Sequence, residues 1–365
     1  MKAILIGDNI TSLVLAKCLV NNNINVDLYS NGNTYKIDKI RTISLSEKNL
    51  SFIQNSILKI SKKFLWDVNN ITIYQEQKSI KKILDFKPNK KILFSIIKNY
   101  TLYNLLNNKL KNSKKFKKIL INKKNGLYES LIKNKNDNLV FNCDKDNNIS
   151  KKFSRSNIKK KYSGKAYVTS IKHKKIKNNI ACQVFTKKGP IAFLPTSNSS
   201  TSIVFSVAIE NEYSNSEIIK LINFYNLNYK ILSIGEIKNF NLKLNLQTKY
   251  VNNGILQFGD SIHQIHPLAG QGFNMTLRDI REINNLIKEK KNLGLRINDE
   301  IFKMFEDRVK HKNIIFASGI DYINTFFSKE NKISYKITDK IFKVINNNKT
   351  INNMVIKFAD KGLNL

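Results

Sequence analysis

The chain has 365 residues, of which 41% are hydrophobic, and its 63 Lys and Arg against 27 Asp and Glu give a formal net charge of +36. This length and hydrophobic content exclude wholesale disorder, and they suffice for two domains or for one large α/β unit with an inserted sheet. No apolar run reaches the 18 residues of a transmembrane helix, and the scattered Cys18, Cys143 and Cys182 fit a reducing cytoplasm and no metal spacing.

The basic excess is mostly Lys and is spread along the whole chain together with abundant Asn and Ile, which is the composition that an AT-rich genome favours. No recognition helix, aromatic platform or Arg cluster accompanies it. We therefore predict no nucleic-acid partner. The same charge is suited to an anionic membrane surface, which we expect as a partner.

The N-terminal region predicts a βαβ unit. Residues 2–7 and 24–29 are short apolar runs typical of strands, and residues 11–21 between them have the spacing of a helix that buries one face. The N-terminal run is too short for a signal peptide. A βαβ opening of this kind is where a dinucleotide-binding fingerprint is expected.

That fingerprint is degraded here. Of the three glycines in Gly-x-Gly-x-x-Gly the chain keeps Gly7, with Asn9 and Ser12 at the other two positions, and Ser30 stands where an acidic residue normally holds a ribose. Ser12 is a mild change, because that glycine only allows close packing of helix on strand. Asn9 is more serious, because its glycine lets the backbone approach a pyrophosphate. Alone, this motif is a weak signal.

Residues 162–205 switch to an alternation of period two, as in AYVTSIKH, CQVFTKK and SIVFSV. This pattern predicts antiparallel strands with one buried face.

The run GDSIHQIHPLAGQGFNMTLRD, residues 259–279, is the most informative segment. It follows the strand-like GILQF, and from Phe273 the apolar residues recur at helical spacing. The order is strand, acidic turn, Gly-rich loop and helix N-terminus. Such an arrangement offers the carboxylate of Asp260 to sugar-like hydroxyls and bare backbone N–H groups to an anion.

This segment resembles the second flavin-binding motif of the FAD-dependent aromatic-ring monooxygenases, of the p-hydroxybenzoate hydroxylase type, and most closely that of the ubiquinone-biosynthesis hydroxylases. The family run is Gly-Asp-Ala-Ala-His-x-Ile-His-Pro-x-Ala-Gly-Gln-Gly-x-Asn-x-Gly-x-Arg-Asp. The chain departs from it at Ser261, Ile262 and Thr276. The alternative is a tight strand-to-helix turn with an incidental Asp and His.

The resemblance implies an α/β fold with a Rossmann-like FAD-binding domain, an inserted, mainly antiparallel β-sheet substrate domain, and C-terminal helices. We expect residues 1–75, 95–160 and 250–325 to form the discontinuous FAD-binding domain, residues 76–94 and 161–249 the substrate sheet, and residues 326–365 the C-terminal helices. Residues 343–365 read as an amphipathic helix with a Lys-rich face.

The resemblance also implies which residues meet FAD. The expected cofactor-binding residues are Gly7, Asn9, Ser12, Ser30, Arg41, Asp260, Gly270, Gln271, Gly272 and Asn274. Arg41 belongs to a segment resembling the family's Arg-x-x-Ala-Leu-Ser, and it would lie against the pyrophosphate. Asn99 and Leu102 match another family segment. Pro267, Gly270, Gln271 and Gly272 are the expected catalytic positions, at the oxygen-activating face and at the pyrimidine edge of the flavin.

The middle motif of the family, Gly-Ala-Asp-Gly, is poorly matched by residues 139–153. Asp144 aligns if LVFNC is a strand, and Asp146 aligns if Ser150 is the motif serine; we favour Asp144. Neither alignment recovers the glycines or the Arg. Because this motif touches both flavin and nicotinamide nucleotide, efficient reduction by NAD(P)H is in doubt.

By resemblance, the chain is an FAD-dependent monooxygenase that hydroxylates the aromatic ring of a polyprenylated phenol in ubiquinone biosynthesis, with NAD(P)H and O2. A quinone-biosynthesis assembly is a candidate partner, and the expected location is the cytoplasm or the periphery of the inner membrane. The rival is a flavin-free or weakly flavin-binding scaffold of such an assembly, and a polyprenyl reductase fits less well. His263 and His266 are candidates for a general base or for a pair of metal ligands, but we expect them to order the loop.

Overall fold

The computed structural model describes residues 1–31, 39–86, 92–121, 138–152, 157–208, 213–267 and 270–328. Its strands are β1 (Lys2–Ile6), β2 (Asn25–Ser30), β3 (Thr42–Ser46), β4 (Trp66–Val68), β5 (Asn70–Glu76), β6 (Ile80–Phe86), β7 (Phe94–Lys98), β8 (Phe116–Leu120), β9 (Leu139–Asn142), β10 (Asn157–His173), β11 (Ile180–Thr186), β12 (Gly189–Ser197), β13 (Ser200–Ala208), β14 (Ile231–Ile234), β15 (Lys238–Gln247), β16 (Val251–Asn252), β17 (Ile255–Gln257) and β18 (His263–Gln264). Its α-helices are α1 (Ile10–Asn21), α2 (Glu47–Phe52), α3 (Asn99–Lys111), α4 (Asn148–Lys152), α5 (Asn215–Tyr225), α6 (Gln271–Asn292) and α7 (Glu300–Ser328).

A six-stranded sheet of order β16-β17-β9-β1-β2-β8 forms the Rossmann-like layer, and it is parallel except at β16. Its central strands are short apolar runs because helices cover the sheet. The chain runs outward from β1 to β2 and β8, and then returns on the other side through β9 and β17. Ligands bind at such a reversal, at the carboxyl ends of the strands.

A nine-stranded sheet has the order β18-β15-β10-β13-β12-β11-β5-β6, with β14 paired to β10. Its pairs are antiparallel except for β11 with β5. One face packs on α5, where residues such as Phe193, Phe205 and Ile222 form a buried cluster. This layer confirms the predicted antiparallel sheet, although the sheet already begins at Asn70. The domain boundaries themselves stay a prediction.

A small sheet of order β3-β7-β4 completes the fold. It meets the nine-stranded sheet where Thr42 Oγ1 donates to Ser202 Oγ at 3.2 Å. Opposite residues in an antiparallel pair share a face. Ser44, Ile96 and Trp66 are directly paired across the three strands and therefore lie on the same face.

The α/β fold with a second, mainly antiparallel sheet and C-terminal helices is confirmed. The β1–α1–β2 unit lies within one residue of its predicted bounds. The predicted amphipathic segment 343–365 lies outside the described residues. Within the described part of the chain, none of the helices is both long and apolar enough to cross a membrane.

Candidate flavin-binding site

Four chain turns meet at the carboxyl edge of the parallel sheet, where β1, β2, β9 and β17 end. Gly7 follows β1 with φ +102°, and a Cβ there would lie 2.8 Å from the Cβ of Asp144. Gly259 follows β17 with φ +63°, and its Cβ would lie 2.6 Å from Thr11 Cγ2. The two glycines are required by close approach, which brings the first, middle and last predicted motifs into contact.

The position of Asp144 favours it as the match to the middle motif. It lies against Gly7, whereas Asp146 donates its backbone N–H to Asp144 Oδ1 at 2.9 Å. Burial raises the pKa of the Asp144 carboxyl above its usual value. The Asp144 carboxylate therefore already accepts a hydrogen bond from within its own turn.

Asn9 is the N-cap of α1 and makes a capping box with Ser12. Asn9 Oδ1 accepts the backbone N–H of Ser12 at 3.1 Å, and the Asn9 N–H donates to Ser12 Oγ at 3.0 Å. Asn9 Nδ2 also donates to the carbonyl of Cys143 at 2.9 Å. The two residues at the missing glycines therefore satisfy the helix N-terminus from within the chain.

Ser30 is buried at the end of β2, and the carboxylate of Asp8 lies beside it. Ser30 Oγ donates to Asp8 Oδ2 at 3.5 Å, and Tyr103 OH donates to Asp8 Oδ1 at 2.9 Å. Lys118 Nζ lies 2.5 Å from Asp8 Oδ2. We call Asp8, Ser30, Tyr103 and Lys118 the Asp8 cluster. Sequence reasoning missed it, because its members come from four separate elements.

The helix after the Gly-rich loop begins differently from α1. Gly270 is its N-cap, with φ +63° and no capping side chain, and α6 starts at Gln271, two residues before the predicted Phe273. A Cβ on Gly270 would lie 3.2 Å from Ser44 Oγ, so the loop lies against β3. Within the described residues, the buried Gln271 Oε1 has no hydrogen-bond partner. An uncapped helix N-terminus attracts negative charge.

Asn274 clamps this helix to β3. Its Nδ2 donates to the Ser44 carbonyl at 2.9 Å, and its Oδ1 accepts the Ser46 N–H at 3.1 Å. Asn49 Nδ2 also donates to Asn274 Oδ1 at 2.9 Å. These contacts hold the start of α6 against β3, and a contact of Asn274 with the cofactor stays a prediction.

The two histidines are anchored in different ways. His263 Nε2 lies 2.6 Å from Asp279 Oδ2, and both side chains are buried. The His266 ring packs edge-on against Tyr162, whose hydroxyl donates to Asp321. Burial lowers the pKa of His266 to about 4, so it is neutral at physiological pH. These contacts agree with the prediction that both residues order the loop.

The remaining predicted residues are spread around this centre. Asp260 is exposed in the turn after β17, and Pro267 is half-buried. Arg41 is exposed, with its guanidinium carbon 5.8 Å from the centre of the Phe240 ring. A contact of Arg41 with pyrophosphate stays a prediction. Leu268 and Ala269 of the loop lie outside the described residues.

The residues fit FAD unequally. At the flavin end, the exposed Asp260, the uncapped Gly270–Gly272 helix start and the orphaned Gln271 Oε1 offer an acceptor for hydroxyls and donors for an anionic edge. At the adenosine end, the amide of Asn9 bonds Ser12 and Cys143, and the other members of the Asp8 cluster bond Asp8. The group fits, with its flavin half better provided for than its adenosine half.

Comparisons with known proteins agree with this geometry. Residues 165–290 match the FAD binding domain model and residues 229–361 match the squalene epoxidase model. The p-nitrophenol 4-monooxygenase of Pseudomonas putida superposes with a TM-score of 0.78 at 9% identity, covering 98% of each chain. HpxO of Klebsiella pneumoniae, solved with FAD and uric acid, gives 0.73 at 10% identity, over 98% of this chain and 96% of that one.

Two curated relatives are similar in sequence. The mitochondrial ubiquinone biosynthesis monooxygenase COQ6 of Dictyostelium discoideum is 26% identical over 212 residues, which are 48% of this chain and 43% of the relative. The 3-demethoxyubiquinol 3-hydroxylase of Escherichia coli is 29% identical over 162 residues, 40% of this chain and 39% of the relative. The chain thus spans less than half the length of these relatives.

The architecture is that of the flavin monooxygenases of the p-hydroxybenzoate hydroxylase type. Over residues 165–290 the chain matches the FAD binding domain family, and it is a distant homologue of the ubiquinone hydroxylases. The resemblance seen in residues 259–279 is confirmed.

Proposed function

We propose that the protein is an FAD-dependent monooxygenase that hydroxylates the aromatic ring of a polyprenylated phenol in ubiquinone biosynthesis, using NAD(P)H and O2. The observation that carries the proposal is the uncapped start of α6 at Gly270, held against Ser44, in a loop that keeps nearly the whole family run. The named activities of the two curated relatives support the substrate class.

Reduced FAD supplies the oxygen-activating chemistry when it is bound. The chain's own residues hold and orient it: Asp260 accepts hydrogen bonds from hydroxyls, and the N–H groups of Gly270–Gly272 donate to the negative edge. The partial positive charge of the α6 N-terminus favours that negative charge. Pro267 would line the reacting face of the flavin, and His266, which burial keeps neutral, would place no charge beside it.

A cavity beside the small sheet is a candidate site for an aromatic ring. It measures about 270 Å³ and lies between the small sheet and β12, lined in part by Leu65, Trp66, Ile96 and Thr196. Ile96 is paired with Ser44, and Ser44 lies against Gly270, so a residue that lines the cavity and the residue that contacts the loop share one face of the small sheet. This volume lies just below the usual range of small-molecule pockets, so we infer that it takes a ring and leaves a long tail outside.

The wall formed by the nine-stranded sheet is uncharged. Ala192 and Leu194 of β12 pair with Val204 and Ser202 of β13, and Ser202 bonds the small sheet. These four residues therefore share the face that points to the small sheet. This uncharged wall suits an aromatic ring. Lys63 and Lys98 also line the cavity, and they can pair with an acidic group of the substrate.

We further propose peripheral attachment to an anionic inner-membrane surface, and NAD(P)H as the reductant. A lipid-tailed substrate and a net charge of +36 support the first. Sedimentation with anionic and neutral vesicles tests it, and equal binding to both would contradict it. The missing glycines and Arg of residues 139–153 predict slow reduction, which stopped-flow bleaching of bound flavin by NADH and NADPH measures.

The main experiment is genetic and chemical. Deletion of the gene, in a strain with no redundant hydroxylase, should accumulate a prenylphenol that lacks one ring oxygen, detected by mass spectrometry. Wild-type protein should restore ubiquinone, and Gly270→Trp should not, because the indole fills the flavin edge. Gly319→Trp is the matched control, since among the described residues no atom from outside its own helical turn lies within 4 Å of a Cβ at Gly319. Unchanged ubiquinone in the deletion strain would refute the proposal.

The rival proposal is a flavin-free scaffold in a quinone-biosynthesis assembly. It is favoured by the self-capped α1 and by the Asp8 cluster, which fill the adenosine end. The absorbance spectrum of the purified protein separates the two: bound flavin excludes the scaffold, and no binding at saturating FAD or FMN supports it.

A further inference from the structure

At the carboxyl end of the Rossmann-like sheet, the protein's own side chains occupy the place where a dinucleotide usually binds. In dinucleotide-binding folds the second glycine of the fingerprint leaves room for the pyrophosphate at the helix N-terminus. Here Asn9 puts an amide there, and it is held on both sides, to the Ser12 N–H at 3.1 Å and to the Cys143 carbonyl at 2.9 Å. These bonds tie α1 to the end of β9 across the point where the strand order reverses.

The same closure occurs at the ribose position. Ser30 replaces the usual acid at the end of β2, yet a carboxylate is present beside it, delivered by Asp8 from the β1–α1 turn. Asp8 is 7% exposed, and its oxygens are engaged by Lys118 at 2.5 Å and Tyr103 at 2.9 Å. A ribose hydroxyl would have to compete with a charged partner for this carboxylate, and hydrogen bonds between ionised groups are the stronger ones.

The flavin end contrasts with this at each matching feature. The α6 N-cap is a glycine without a side-chain bond, whereas the α1 N-cap carries a complete capping box. Asp260 is exposed, whereas Asp8 is buried in an ion pair. Gln271 Oε1 is orphaned within the described residues, whereas both amide atoms of Asn9 are bonded.

We propose that this protein holds FAD by its flavin half, with the adenosine half excluded from its usual contacts by Asn9 and the Asp8 cluster, so that FMN binds about as tightly as FAD. The inference rests on the proposed function, because it concerns the same flavin site. It assigns to Asn9 and Asp8 the choice between a mononucleotide and a dinucleotide flavin.

The first experiment titrates the full-length apoprotein with FAD, FMN and ADP, and follows flavin fluorescence or heat of binding. The dissociation constants for FAD and FMN should agree within about tenfold, a difference of less than about 1.4 kcal/mol. ADP at millimolar concentration should not displace FMN. FAD binding more than about tenfold tighter than FMN would overturn the inference and leave the proposed function standing, whereas binding of neither flavin would overturn the proposed function.

The second experiment replaces the side chains that block the adenosine end of the site. Asn9→Gly should strengthen FAD binding and leave FMN binding unchanged, and α1 should persist because Gly is also an acceptable N-cap. Asp8→Ser combined with Ser30→Glu returns the carboxylate to the end of β2 and keeps a partner for Lys118. This double variant should raise the FAD-to-FMN preference further.

Asn55→Gly, at an exposed position far along the chain, is the control and should leave both constants unchanged. Thermal melts identify any variant that has lost its fold. Folded Asn9→Gly and double variants with an unchanged FAD-to-FMN ratio would overturn the inference.

Discussion

His263 and Asp279 form a buried pair that joins β18 to α6, with Nε2 and Oδ2 2.6 Å apart. Asn313 of α7 donates to the other oxygen of Asp279 at 3.0 Å. These contacts fix the Gly-rich loop on both sides. His263 lies at the start of the loop, Asp279 lies in the helix that follows it, and Asn313 lies in the next helix. Both residues belong to the family run, yet neither was predicted to touch FAD.

We expect Asp279→Ala to destabilise the protein by about 3–5 kcal/mol, because removal of one partner leaves buried polar groups unsatisfied. Asp279→Asn should cost about 2 kcal/mol, because the amide can still accept a hydrogen bond. Urea unfolding measures both, and flavin titration of the folded variants should show weaker binding. Asp307→Asn, at an exposed position of α7, is the control. Equal stabilities of Asp279→Ala and the control would contradict this account.

Comparison of Gly259 with Gly294 separates the steric cost of an added Cβ from the cost of its backbone strain. Its φ is +63°, and a Cβ there would lie 2.6 Å from Thr11 Cγ2. Gly294 has φ +66°, and a Cβ there would have no non-neighbouring atom of the described chain within 4 Å. We expect Gly294→Ala to cost about 1 kcal/mol through backbone strain alone. Gly259→Ala should cost about 1–3 kcal/mol more through overpacking.

Thr11→Ser removes the methyl group that the new Cβ of Gly259→Ala would meet, so it should restore part of the stability that this variant loses. Thermal melts of the two single variants and the double variant form a cycle that measures the contact. Additive effects, with no rescue, would show that the first and last motifs do not press on each other at this point.

The sequence alone was sufficient to predict the strands and helices that a local pattern of apolar residues specifies. The period-two alternation of residues 162–205 predicted the antiparallel sheet, and the apolar spacing of residues 2–29 predicted β1, α1 and β2. The start of α6 was placed two residues late, because the apolar periodicity begins at Phe273 whereas the helix begins at Gln271, directly after its αL N-cap Gly270.

Contacts between distant segments could not be predicted in this way. Asp8 and Lys118 stand in separate elements, and no periodicity links a turn after β1 to the middle of β8. Asn274 was expected to bind the cofactor, which stays a prediction, and its hydrogen bonds to β3 could not be predicted from local spacing. One signal was available: Asn is a favoured N-cap residue, so Asn9 before an apolar helix could have been read as a cap.

Asn274 supports a prediction about the rigidity of the loop. Asn274→Ala leaves the Ser46 N–H and the Ser44 carbonyl without their partner, and each buried unsatisfied group costs about 1–3 kcal/mol. We expect a loss of about 3 kcal/mol in the free energy of unfolding. Asn55→Ala, on the surface, is the control. Faster hydrogen exchange at the start of α6 should accompany the loss, and unchanged exchange would argue against the clamp.

The burial of His266 predicts that the protein becomes less stable as the pH falls. Burial lowers its pKa from 6.5 to about 4, against the opposing pull of Asp321, while Tyr162 packs on the ring and Lys160 pairs with Asp321. Between pH 6.5 and 4 the unfolded chain binds a proton that the folded chain does not, so stability falls as the pH falls through this window. A shift of this size corresponds to about 3 kcal/mol.

His266→Phe keeps a ring against Tyr162 but removes the titration. Relative to wild type, this variant should lose up to about 3 kcal/mol less stability between about pH 7 and pH 4, since the carboxylates titrate alike in both. His311→Phe, at an exposed position of α7, should follow the wild-type curve. Urea unfolding at half-unit pH steps measures the difference. Parallel curves for wild type and His266→Phe would mean that His266 does not resist protonation in the folded protein.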